Sequence, residues 1–123
     1  MRMAAAGAGM SQVTAVLLTH LHADHVTDFN DVVTTNWIGQ FAPGVLNVIG
    51  PPGTQTFVDR TLAMLEDDIG WRMDHHDDLS WRPDVQVTEV TDGVALESGG
   101  VRVVAAPTEH KPVHPTVGYR FEH

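Results

Sequence analysis

Four side chains able to hold a metal ion, His20, His22, Asp24 and His25, fall within six residues directly after the apolar run Val13-Thr14-Ala15-Val16-Leu17-Leu18. Zinc takes imidazole nitrogen and carboxylate oxygen at roughly 2.0 to 2.2 Å, and its catalytic sites keep one position open for water. In extended chain, residues two apart point the same way, so His20 and His22 can converge on one ion, whereas Asp24 and His25 fall where the chain turns. The cluster divides into two halves. That division suits two ions held about 3.5 to 4 Å apart, which can clamp both the attacking and the leaving oxygen of a displacement. The opposing reading, surface polar residues opening a helix with Asp24 as its cap, serves a single loop histidine better than four ligands packed behind one strand.

A second group lies in Pro107-Thr108-Glu109-His110-Lys111-Pro112-Val113-His114-Pro115. His110 directly follows a strand, as His20 does, and is the stronger candidate for a third ligand; His114 fits a supporting position behind it or plain exposure. His75, His76, Asp77 and Asp78 offer the same donor types, but no strand places them, and an exposed acidic loop is the simpler reading.

Fixed ligands need elements that the core holds still. With 123 residues, 42% of them hydrophobic, the chain suffices for one globular domain with a true core and not for two. It has no cysteine, so a transition metal must be held by His and Asp. No apolar run approaches the roughly 20 residues that cross a bilayer, and the N-terminus lacks the apolar centre of a secretory signal, so a cytoplasmic location is expected. Sixteen acidic against seven basic residues argue against nonspecific nucleic-acid binding. Two divalent ions would still draw a phosphate to one spot.

The opening Met1 to Met10 reads as the end of an Ala-rich helix closed by Gly9, and a strand follows at 13–19. Val26, Phe29, Val32, Val33 and Trp37 recur at helical spacing, predicting a helix from Val26 to Ile38; Val45 to Ile49 reads as a buried strand. Gly50-Pro51-Pro52-Gly53 must turn, and Thr54 is placed to cap a helix to Ile69 with Phe57, Leu62 and Leu65 inward. That turn lacks G-x-x-x-x-G-K and offers too few free amides to cradle a phosphate. Residues 70–83 read as a surface loop packed down by Trp71 and Trp81. From Val85 the period becomes two, predicting strands at 85–90, 94–97, 101–106 and 116–122, with tight turns at Asp92-Gly93 and Gly99-Gly100.

His20-x-His22-x-Asp24-His25 after an apolar strand, with His110 some 85 residues after His25, resembles the metallo-β-lactamase superfamily of binuclear metal hydrolases. Gly50-Pro51-Pro52-Gly53-Thr54 opening a helix, and Val117-Gly118-Tyr119-Arg120 after His110, narrow the resemblance to the ribonuclease Z group and its phosphodiesterase relatives. The resemblance implies an α/β (α+β) fold, a partial αβ/βα sandwich in which residues 1–123 form a single, incomplete domain. It implies that His20, His22 and His110 bind one Zn2+ and that Asp24 and His25 help bind a second, with Asp24 also orienting the nucleophilic water. The same donors suit Mn2+ or Fe2+. Two strands before the Ala-rich helix, and a bridging Asp and last His after the Gly-Tyr-Arg strand, are family features expected to lie outside this chain, which then looks truncated at both ends. The implied reaction is cleavage at the 3′ end of precursor tRNA by a metal-bound hydroxide, with a homodimer as the implied assembly. A small phosphodiester or sulfate ester is the alternative substrate, and an inactive fragment is the alternative of another class.

Overall fold

The structure is a computed structural model in which residues 5–123 are described. It is a mixed α/β arrangement. Strands β1 (Ala15–Leu17), β2 (Val45–Gly50) and β3 (Asp84–Glu89) form a parallel sheet in the order β1-β2-β3. Strands β4 (Gly93–Ser98), β5 (Val101–Pro107) and β6 (Val117–Glu122) form an antiparallel sheet in that order.

Parallel strands need crossovers, and helices supply them. A short helix α1 (Ala23–Val26) and helix α2 (Phe29–Ile38) link β1 to β2, and α3 (Thr54–Met64) and α4 (Glu66–His75) link β2 to β3. Alternation along β2 turns Leu46 and Val48 onto the helices, where they are buried with Leu18, Phe29, Val33 and Val58. A satellite core of Trp37, Ile69 and Leu79 joins α2 to α4 and the loop after it, and the Trp37 indole N–H donates to the Trp81 carbonyl at 2.8 Å.

The parallel sheet meets the antiparallel one at the C-terminal end of β1. The Val117 amide donates to the Thr19 carbonyl at 2.9 Å, and the Tyr119 hydroxyl donates to the Leu18 carbonyl at 2.9 Å. This junction ends β1 at Leu17, short of the expected 13–19, because beyond Leu18 the chain turns from β2 to β6.

Several expected elements are corrected. The expected opening helix lies largely outside the described residues; within them the left-handed glycine is Gly7 (φ 75°), while Gly9 is extended and opens a short 3-10 turn, Met10–Gln12. The helix expected over 26–38 is two, separated at Thr27 and Asp28, where the Thr27 hydroxyl bonds back to the Ala23 carbonyl and competes with the backbone ladder. Thr54 does not cap its helix: its hydroxyl donates to the Pro51 carbonyl at 2.7 Å, and the capping position is Gly53 in the left-handed region (φ 103°). The cap is instead Glu89 at the end of β3, whose carboxylate accepts from the amides of Gly53 at 2.8 Å and Gln55 at 3.0 Å.

The helix expected to reach Ile69 breaks at Leu65, and α4 then runs to His75 through what reads as loop. Its charges are arranged for a helix, with Glu66, Asp67 and Asp68 in the first turn, Arg72 and His75 in the last, and Arg72 paired with Asp68 at 2.7 Å. Trp71, expected as an anchor, lies on the outer face at 68% exposure, whereas Trp81 is half-buried against the satellite core. Asp92-Gly93 is no hairpin turn; it carries the chain from one sheet to the other, whereas Gly99-Gly100 does close the β4–β5 hairpin.

Candidate metal centre

The sequence places His20 three residues beyond β1 and His22 at the position capping α1, still in extended conformation (φ −62°, ψ 141°). His25 lies within α1. His110 arrives from the far side of the site, on the loop joining β5 to β6. Two threonines close the base of that loop: the Thr108 amide donates to the Thr116 carbonyl at 3.0 Å, and the Thr116 hydroxyl to the Thr108 carbonyl at 2.6 Å. A tight turn then closes the tip, with the Val113 amide on the His110 carbonyl at 2.8 Å. Gly118 lets the Thr108 methyl pack, since a Cβ there would lie 3.2 Å from Thr108 Cγ2.

Three imidazoles converge. One donor nitrogen from each of His20, His22 and His110 lies within 4.8 Å of the others, and among the described residues this is the group of three metal-binding side chains that comes together. The ring of His20 stands 5.0 Å from that of His22, 4.8 Å from that of His110 and 4.2 Å from that of His25. Asp24 is exposed, its Oδ2 3.7 Å from His25 Nε2. His114 is exposed and stands outside the cluster, and His75 and His76 face each other at the end of α4, 4.8 Å between ring centres.

His20 is the buried member, and its chemistry fits a cation. Its Nδ1 lies 3.0 Å from the Thr19 hydroxyl, while its Nε2 is buried with no hydrogen-bond partner. A buried polar atom without a partner is costly unless something else satisfies it. A metal ion would accept that lone pair. Burial above all, then the positive charge that His25, His110 and His22 would carry, pushes the His20 pKa below its ordinary value, with Asp24 opposing. The neutral imidazole that a metal requires is thereby favoured.

Sequence reasoning missed Thr19, the Thr108–Thr116 clasp and Tyr119. Tyr119 enters the sequence reading only as part of a resemblance; its hydroxyl reaches a carbonyl 101 residues away, which spacing along the chain does not reveal. Burial also pushes its pKa up to about 12, so it remains a donor through neutral pH.

A family model described as the beta-lactamase superfamily domain matches residues 2–123. Ribonuclease Z of Mycolicibacterium gilvum (strain PYR-GCK) is 50% identical over 99% of the chain, and that of Mycobacterium sp. (strain KMS) is 51% identical over all of it. The chain spans only 43% and 44% of these two relatives. Among solved structures, human tRNase Z, short form, aligns over 98% of the chain and 48% of its own length with a TM-score of 0.66 at 16% identity. A diphosphatase of the PhnP family aligns over 98% and 40%, with a TM-score of 0.62 at 20% identity. Both structural likenesses speak for the fold alone. Matched by the family model along all but its first residue, and built on the same fold as these structures, the chain belongs to the beta-lactamase superfamily.

Proposed function

We propose that this chain carries the histidine half of a metal-dependent phosphodiester hydrolase that trims the 3′ end of precursor tRNA. What supports the reaction class is the convergence of His20, His22 and His110 around an unpartnered buried nitrogen; what supports the substrate is about 50% identity with curated ribonucleases Z. Divalent ions when bound, Zn2+ above Mn2+ or Fe2+, supply a Lewis acid and lower the pKa of bound water. His20, His22 and His110 would hold one ion and His25 and Asp24 would contribute to a second, with the exposed Asp24 carboxylate placed to orient water there. Thr19 holds His20 from behind through Nδ1, which leaves Nε2 for the ion. In this reading residues 1–123 are one part of a metallo-β-lactamase domain that works in the cytoplasm as a homodimer. Among the described residues, no helix is long and apolar enough to cross a membrane.

The net charge of −9 favours a second reading with the same chemistry, in which the substrate is a small phosphodiester or sulfate ester and no long polyanion is gripped.

Metal content after purification and dialysis, for the parent and for the His20→Ala, His22→Ala double variant, tests the centre. One or two ions per chain, lost in the double variant, support it, and a metal-free parent overturns it. Cleavage of a 3′-extended precursor tRNA against bis(p-nitrophenyl) phosphate then separates the substrates.

A further inference from the structure

Strand β6 touches both sides of the histidine cluster. On one side, the Val117 amide holds the Thr19 carbonyl at 2.9 Å and the Tyr119 hydroxyl holds the Leu18 carbonyl at 2.9 Å, so both peptide groups before His20 are fixed from the opposite sheet. The same hydroxyl lies 3.3 Å from the Ile49 carbonyl, which already accepts the Leu18 amide at 2.8 Å as the last rung between β1 and β2. On the other side, Thr116, directly before β6, clasps Thr108 and so closes the loop that presents His110. One strand thus sets the spacing between ligands that arrive from two different sheets.

We infer that Tyr119 is a positioning residue for the metal centre: its hydroxyl pins the end of β1 to β6, so that His20 is presented at a fixed distance from His110. The inference rests on the metal-binding reading of the cluster. Tyr119 stands in register with fully buried Ala105 on β5, and its hydroxyl makes, among the described residues, the one side-chain hydrogen bond from β6 to the β1 end, beside the Val117 backbone bond to Thr19. Removing that oxygen releases the Leu18 carbonyl and leaves the Val117 bond as the remaining tie of β6 to this end of β1, which loosens the placement of His20 relative to His110.

The test compares the parent chain, Tyr119→Phe and Val103→Ala. Val103 is a buried β5 residue that lines a cavity beside Ala15 and Leu17 of β1, and its truncation loosens this packing while leaving both β6 hydrogen bonds to Leu18 and Thr19 in place. Zn2+ affinity is measured by chelator competition, the Co2+ form by visible absorption, and the metal-free histidine rings by 1H–13C NMR. For Tyr119→Phe the expected result is about a tenfold loss of Zn2+ affinity, of the size that outer partners of metal ligands contribute. The Co2+ bands and the His20 ring signals should also shift, with His75 and His76 unmoved. Val103→Ala should lower thermal stability and leave the affinity unchanged. Parent-like affinity and unmoved His20 signals in Tyr119→Phe overturn the role. An equal affinity loss in Val103→Ala also overturns it, because the effect is then general loosening. A parent chain that binds no Zn2+ overturns the metal reading itself, a result distinct from both.

Discussion

The chemistry of His20 follows from where its two nitrogens sit. One meets a neighbouring hydroxyl and the other meets nothing, in a setting that disfavours a proton. Because its folded pKa lies below the ordinary 6.5, the unfolded chain gains a proton as pH falls through 6.5 while the folded chain resists. Stability is therefore lost below pH 6.5 down to the folded pKa, and above 6.5 the contribution is constant. Denaturant midpoints of the metal-free chain should fall over that acid window, and His20→Gln should flatten the fall; an equally steep fall in the variant would assign it to other groups. The ligand candidates were legible because period-two spacing after an apolar strand puts His20 and His22 together. Thr19 gave no comparable signal. A threonine beside a histidine is ordinary until the histidine is seen to be buried.

Among the elements, the turn between β2 and α3 shows why some residues admit no replacement. A Cβ on Gly50 would lie 2.3 Å from Thr54 Oγ1 and 3.2 Å from the Leu18 Cβ, so Gly50 is demanded by close approach. Gly50→Ala should cost about 1 to 3 kcal/mol, as overpacking typically does. Adding Thr54→Ala should recover part of that loss, because it removes the nearer obstacle; a strictly additive double variant in chemical denaturation would place the strain elsewhere. Glu89→Ala, which uncaps α3, should cost about 1 kcal/mol with little change elsewhere. The strands were legible from alternation, but the helix breaks were not. Leu65 fits an apolar stripe on either side of the break, and α4 is so rich in charge that its pattern resembles loop until Ile69 is found against Trp37.

Across the whole molecule, two sheets with different hydrogen-bonding rules meet beside the cluster, one core holds the helices to the parallel sheet, and a satellite core joins α2 to α4 and the segment after it. Trp37, 1% exposed and bonded to the Trp81 carbonyl, ties α2 to the segment after α4. Trp37→Ala should destabilise by about 3 to 5 kcal/mol, the range for a large aromatic lost from a core. Urea unfolding checks this, and a loss under 1 kcal/mol would mean that the satellite core contributes little. The class of fold was legible in the change of period at Val85, yet the division into sheets was not. Asp92-Gly93 has the composition of a hairpin turn, and only the pairing of β3 with β2 shows that the chain has already changed sheets there. Glu89, just before that crossing, accepts from the amides that open α3. Backbone amides at a helix start ordinarily welcome a phosphate, but here an internal carboxylate already fills the berth. Leu21, between His20 and His22, approaches that turn closely, its Cδ1 3.4 Å from where a Cβ of Gly53 would stand. The Gly53 and Gln55 amides, beside the turn that Leu21 approaches, are thus already engaged by the chain's own carboxylate, which leaves the neighbouring imidazoles as the polar groups on this side still open to a ligand.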